Sequence, residues 1–285
     1  MSYQEYRPSR FKLLPDVIKN LVIINALFFF ATYVTEKQFG IDLTEKLGLH
    51  YFRSEQFQPY QVITYMFMHG SFSHILYNMF ALWMFGSALE NYWGPRRFLT
   101  YYLITGIGAA FIHYLIFYFQ VLPALHFIDN YLANPDINSF NGFFNSEYFH
   151  LGSEQMRAHY NEMVSVFNEK ELLHDRDGML RLSVEYMTQY RQDFLSASTI
   201  VGASGSVFGL LLAFGMLFPN SLIYIYFAIP IRAKYFVILY GVLEFVSGIA
   251  NASGDNVAHF AHLGGMLFGF ILIKYWQKND RTRFY

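Results

Sequence analysis

Six apolar stretches constrain this chain more than any other feature. They cover about 17–35, 72–92, 98–121, 202–218, 235–249 and 257–276, and they approach or exceed the roughly 17–25 residues needed to cross hydrocarbon. In lipid a helix satisfies its backbone polar groups by itself, so runs of this length read as spanning helices. Composition agrees. The 285 residues are 54% hydrophobic and 14% charged, whereas a soluble domain carries about 25% charge. The expected fold class is therefore an all-α polytopic membrane protein with six transmembrane helices. The lipid bilayer is its first expected partner. No basic stripe suited to nucleic acid is present, so no nucleic-acid partner is expected. Zero cysteines exclude disulfides, thiolate catalysis and Cys-ligated metal.

Charge placement gives the expected orientation. Arg7, Arg10, Lys12 and Lys19 lie at or before the start of the first span. No clear small-residue cleavage site follows, so the first span is read as uncleaved. Gly94-Pro95-Arg96-Arg97 breaks the second span from the third. Arg232 and Lys234 lie between the fourth and fifth, and Lys274, Lys278, Arg281 and Arg283 close the chain. With six spans these four segments share one side, and they hold twelve of the twenty Lys and Arg. The positive-inside rule then predicts an N-in, C-in topology. No internal repeat of a transporter type is visible.

Residues 122–198 differ in kind. They hold eleven acidic residues against five basic ones, a balance of −6. Met156, Tyr160, Met163 and Phe167 recur at helical spacing, as do Leu182, Tyr186, Tyr190 and Phe194. The pattern predicts two short amphipathic helices joined by a turn at Asp175-Arg176-Asp177-Gly178. That turn fits a calcium loop poorly, because Val184 falls where the bidentate Glu belongs. The expected organisation is one domain over 1–285, with 122–198 as an extracytoplasmic insertion between the third and fourth spans.

Polar groups inside apolar runs are costly, and their default reading is a functional site. Ser204 stands in Gly202-Ala203-Ser204-Gly205, at the start of the fourth run. A serine hydroxyl is a weak nucleophile and needs an adjacent base. His262 is the best candidate. Gly205 and Gly209 on one helix, and Gly265 and Gly269 on the other, form small-residue faces that let two helices approach closely. Packing alone also explains these glycines, and the chemistry needs the same packing. Phe208 lies one turn after Ser204, either stacked on His262 or as an ordinary aromatic of the interior. His74 and Asn78 share a face of the second span. They would serve as hydrogen-bond donors to a developing oxyanion, or as polar glue between helices.

Further polar residues are read structurally. His69 lies near a span's end. His259 precedes His262 by three, but no H-E-x-x-H and no suitably spaced third ligand accompanies the pair, so no metal is expected. Glu244 falls near mid-membrane, paired with a neighbour or protonated. Asp255, in Ser253-Gly254-Asp255-Asn256, reads as a turn residue rather than a third catalytic member. The G-x-S-x-G elbow of soluble hydrolases fails at Ser206.

Three blocks together resemble the rhomboid family of intramembrane serine proteases. They are His69-Gly70-Ser71-Phe72-Ser73-His74-Ile75-Leu76-Tyr77-Asn78, followed by Gly86 and Glu90; Gly202-Ala203-Ser204-Gly205; and Ala261-His262-Leu263-Gly264-Gly265, followed by Gly269. The resemblance implies a six-helix rhomboid bundle. It implies Ser204 as nucleophile and His262 as base, in a dyad without an acidic member. His74, Asn78 and the Ser204 backbone N–H would form the oxyanion hole, with Gly202 important for backbone geometry there. Gly86 and Glu90 would be structural. The implied activity is cleavage of single-span membrane proteins at or near the outer membrane face, without cofactor. Two features depart from the family pattern. Phe208 stands where tyrosine is often found, and the first-loop Trp-Arg pair is absent, with Tyr60-Gln61 nearest. The insertion at 122–198 is unusually long for the family and would restrict or recruit substrates on the outer side. A helix-binding quality-control module that does not cut is the alternative on the same scaffold. A transporter would explain the buried polar groups but not the three blocks. A bacterial cytoplasmic membrane is the expected location.

Overall fold

The computed structural model describes residues 11–225, 228–250 and 258–281. Arg7, Arg10, Asp255, Arg283 and Val257, the predicted start of the sixth span, lie outside the described residues, as does the side chain of Arg281. In chain order the elements are α1 (Asp16–Phe39), α2 (Leu43–Leu47), β1 (Leu49–His50), α3 (Gln61–Thr64), α4 (Phe72–Trp93), α5 (Pro95–Ala133), α6 (Ile137–Phe143), α7 (Glu154–Leu172), α8 (Arg176–Ser196), β2 (Thr199–Ile200), α9 (Ser204–Leu217), β3 (Leu222–Ile225), β4 (Ile229–Arg232), α10 (Ala233–Ala250) and α11 (His259–Arg281). The architecture is an all-α bundle with two antiparallel two-stranded pairs, β1 with β2 and β3 with β4.

Among the described residues, α1, α5 and α10 are long and apolar enough to cross a membrane. This is a multi-pass membrane protein. The apolar helices α4, α9 and α11 fall short of that measure for a physical reason. α9 has only 14 residues, and α4 and α11 carry His74, Asn78 and Glu90, or His259 and His262. Outward faces agree with a lipid surround. On α10, Ile238, Leu239, Val242, Leu243, Phe245, Val246 and Ile249 are all exposed. A contiguous apolar face of that kind is a liability in water and costs nothing in hydrocarbon.

The chain divides into two compact units. The first takes residues up to 48, 62–113 and 201 onward. Within it, α9 packs on α11, α4 and α10, and α1 packs on α4. The start of α1 is tied to the end of α4 by polar bonds. The buried Glu90 carboxylate accepts the backbone N–H groups of Val17 and Ile18, at 3.0 and 2.9 Å. First-turn N–H groups have no acceptor within their own helix, so this carboxylate caps α1 from outside. Asn91 exchanges hydrogen bonds with the Lys12 backbone one turn earlier, at 3.0 and 2.8 Å. Gly86 lies where an added Cβ would meet Ile18. Arg97 sits over the Trp276 ring, 4.3 Å from its centre, and Trp93 packs edge-on to the same ring. Such aromatic and cationic clusters suit a membrane–water interface.

The second unit takes residues 49–61 and 114–200. Its core is aromatic: Phe140, Phe143, Tyr186 and Tyr190 are buried with Ile128, Met163 and Phe167. The two amphipathic helices appear as α7 and α8, of 19 and 21 residues, longer than the sequence pattern suggests. Asp175 caps α8 by accepting the Gly178 N–H at 2.8 Å, the bond that chiefly holds its carboxyl below the usual aspartate range. One boundary differs clearly from expectation. The third span should end near Val121, yet α5 continues through Pro123 to Ala133. Proline removes one backbone donor. The helix survives because Val121 and Leu125, on either side, are buried with Tyr51 and Leu195.

Candidate active site

Ser204 is the first residue of α9, and its position follows from the turn before it. Gly202 has φ +117°, a conformation that L side chains rarely adopt. Its N–H donates to the Tyr65 carbonyl at 2.9 Å. A Cβ on Gly202 would lie 2.7 Å from His74 Nε2, so the imidazole rests directly against the glycine. Ala203 offers no side-chain cap. The first-turn N–H groups of α9 therefore have no acceptor within their helix, and they carry the positive end of its dipole.

His262 comes from the first turn of α11. Its Nε2 lies 2.9 Å from Ser204 Oγ. Phe208 stacks on the imidazole, with ring centres 4.1 Å apart and planes at 6°. The structure thus brings Ser204, His262 and Phe208 together. His74 stands against Gly202, and its ring meets that of His69 edge-on at 5.0 Å. Asn78 is buried and donates one amide N–H to the His74 carbonyl at 3.0 Å, which leaves its second N–H for another acceptor.

The glycines do more than bring two small-residue faces together. Gly265 makes the closest backbone approach to the partner helix: a Cβ there would run into the Gly205 carbonyl, and a Cβ on Gly205 would lie 3.7 Å from the Ala261 carbonyl oxygen. Gly205 and Gly209 also receive α5, through Ala109 and Thr105, and Gly269 receives the Tyr101 hydroxyl of the same helix. Tyr101 donates to the Gly209 carbonyl at 2.8 Å, and Ser206 donates to the Tyr102 carbonyl at 2.7 Å. α5 is thus a third wall, and the small residues accommodate three helices rather than two.

Glu244 of α10 is the residue whose surroundings the sequence left open. Its Oε2 lies 2.8 Å from His262 Nδ1 and 2.7 Å from His259 Nδ1. The signal was an acidic residue in an apolar run, which names no partner by itself. The donor atoms of Glu244, His259 and His262 lie within 4.8 Å of one another, so they are the described residues to weigh for a cation. Both histidine contacts are of hydrogen-bond length, and three donors are one short of a closed structural zinc site.

The family model for the rhomboid domain matches residues 56–121 and 177–278. The chain belongs to the rhomboid family. The match takes in the two segments that carry His74 and Asn78, and Ser204 and His262. It leaves out 122–176, most of the long insertion. Among rhomboid relatives, the Arabidopsis thaliana protein named "RHOMBOID-like protein 12, mitochondrial" is 25% identical over 272 residues, or 94% of this chain. An uncharacterised mitochondrial rhomboid protein of Schizosaccharomyces pombe is 32% identical over 90 residues, or 30% of this chain. The matches span 60% and 23% of those relatives' own lengths.

Proposed function

We propose that this chain is an intramembrane serine endopeptidase, cleaving single-span membrane proteins at or near the outer membrane face with Ser204 and His262. The observation that carries the reading is the 2.9 Å approach of His262 Nε2 to Ser204 Oγ, inside a chain of rhomboid ancestry. In the proposed mechanism Ser204 Oγ attacks the substrate carbonyl while His262 Nε2 takes its proton. The carbonyl oxygen becomes an oxyanion. The Ser204 N–H, the free Asn78 N–H and His74 are the donors proposed to stabilise it. Imidazolium then gives its proton to the leaving amine. Water, with its proton taken by His262, hydrolyses the acyl-enzyme and restores the serine. Phe208 holds the imidazole ring in plane, and Gly202, Gly205, Gly265 and Gly269 allow the close approaches. The chemistry needs no cofactor.

The proposed topology has six spans, adding α4, α9 and α11 to the three long apolar helices, with both termini inside. The proposed organisation is one rhomboid domain over 1–285, with the acidic segment 122–198 as an outer insertion that selects transmembrane substrates. Deleting 125–195 should change substrate preference while leaving the serine reactive, and unchanged cleavage of every substrate contradicts a selective role. A bacterial cytoplasmic membrane is the expectation, whereas the relatives' names say mitochondrial. We propose a membrane of one of these two kinds, and fractionation of the source cells decides between them.

A fluorophosphonate probe tests the chemical claim. The account expects covalent labelling of the native protein at Ser204 and none of Ser204→Ala. A native protein that captures membrane helices but never labels is the non-cleaving module instead.

A further inference from the structure

A carboxylate within a membrane-crossing helix is costly unless something requires it. α10 carries one at Glu244, and its side chain is only 12% exposed. Hydrophobic packing of α10 against α11 needs no charge there. The carboxylate is also aimed. Its Oε2 lies 2.8 Å from Nδ1 of His262, the ring nitrogen opposite the one that faces Ser204. Ser204 Oγ, the His262 ring and Glu244 Oε2 therefore form one unbroken line of hydrogen bonds across three helices.

We infer that Glu244 is a positioning residue for His262, making the site a Ser–His–Glu relay rather than a Ser–His pair. Neutral imidazole carries one proton. A carboxylate facing Nδ1 holds it there, which leaves the Nε2 lone pair free to accept the Ser204 hydroxyl proton. When that proton arrives, Glu244 also faces the new imidazolium charge at hydrogen-bond distance and stabilises it. No proton passes to Glu244 in this scheme. His262 is protonated at Nε2 and later releases the same proton to the leaving amine. The Phe208 ring, parallel to the imidazole, blocks tilting, and Glu244 fixes the remaining rotation within the ring plane.

His259 is the natural control. It donates to the same Oε2 at 2.7 Å, whereas the ring that meets Ser204 Oγ is that of His262. If Glu244 only glued α10 to α11, the two histidine bonds would be equivalent. In the positioning role only the His262 bond matters to the chemistry.

The inference rests on the proposed protease activity, and the test separates the two. Full-length native protein, Glu244→Gln, Glu244→Asp, His259→Gln and Ser204→Ala would be reconstituted in liposomes. Steady-state cleavage of a fluorescent single-span substrate and the rate of fluorophosphonate labelling would be measured for each. Glu244→Gln keeps size and shape, but its amide can donate to Nδ1 and hold the wrong tautomer. It should lower kcat and the labelling rate by about 100-fold or more with KM nearly unchanged, since losing the orienting acid of a serine triad costs up to about 10⁴-fold. Glu244→Asp keeps the charge and should recover most of that loss. His259→Gln should stay close to native.

Native-like kcat in Glu244→Gln overturns the inference. So does a loss confined to KM, or a His259→Gln loss as large as that of Glu244→Gln, which would make the cluster a structural unit. Native cleavage that a chelator abolishes and zinc restores also overturns it, in favour of a cation held by the three side chains. A native chain with no Ser204-dependent cleavage or labelling overturns the inference together with the protease reading. Normal labelling of native protein with equal labelling of Glu244→Gln removes the inference alone.

Discussion

Two helix pairs are held together by opposite means. α9 and α11 meet where a glycine touches a carbonyl, with no large side chain at the closest point. α7 and α8 close over a layer of aromatic rings, with Phe140, Phe143, Tyr186 and Tyr190 buried among them. The difference fits the proposed surroundings, lipid for the first pair and water for the second. In lipid, moving an apolar side chain from tails to a helix interface gains little, so close packing and polar bonds between helices decide association. In water, burying aromatic area is itself the driving force. The first unit accordingly spends its polar groups inward, at Glu90, Ser206 and the Ser204–His262–Glu244 line. The second unit keeps most of its charges outside.

The largest expected effect tests the aromatic side of this contrast. Phe140→Ala should destabilise the second unit by about 3–5 kcal/mol, the usual cost of emptying a buried aromatic site, with Ser204 labelling unchanged. Limited proteolysis of 122–198 during a thermal ramp would measure it. Native-like resistance would mean that the aromatic layer contributes little.

Next in size is the glycine side. Gly265→Ala drives a methyl into the Gly205 carbonyl, and overpacking of this kind costs about 1–3 kcal/mol. Because it moves α11 relative to Ser204, labelling should fall by roughly 100-fold, as misplacements of about 1 Å do. If Gly265→Ala labels normally, the helices do not depend on backbone contact. Smaller again is Glu90→Gln, which leaves α1 with a weakened cap. A loss of about 1–2 kcal/mol in thermal stability is expected from the hydrogen bonds to charge that it removes, and a stabilised variant would refute the capping role.

The smallest effect concerns pH. Asp136 and Asp175 cap α6 and α8, and both carboxyls are held below the usual range, chiefly by the backbone N–H groups of Ser139 and Gly178. A depressed value means that the unfolded chain binds the proton more readily. The stabilisation is present above the ordinary aspartate pKa and is lost as pH falls through the lower folded value. Helical content of 122–198 should therefore decline in acid, and Asp175→Asn should make that decline shallower. An unchanged acid profile in the variant would remove the cap from the account.

The long apolar runs, the amphipathic pair within 122–198 and the closeness of Ser204 to His262 were legible because each depends on local pattern or residue chemistry. Ser204 and His262 stand out as polar residues in apolar context. Three features were not legible. The extension of α5 past Pro123 depends on Val121 and Leu125 being buried with Tyr51 and Leu195, which overrides a local stop signal. The Gly205–Gly209 face receives α5 as well as α11, and glycine spacing says only that something comes close. Glu244 was visible as a lone carboxylate. Its aim at His262 depends on how α10 is rotated, which its outward face of Ile238, Val242, Phe245 and Ile249 settles only in three dimensions.

The most direct test of the central claim is cleavage of a fluorescent single-span substrate in liposomes by the native chain, Ser204→Ala and His262→Ala. The account predicts cleavage by the native protein and none above background by either variant. Cleavage that survives Ser204→Ala would contradict it, because some other group would then be the nucleophile.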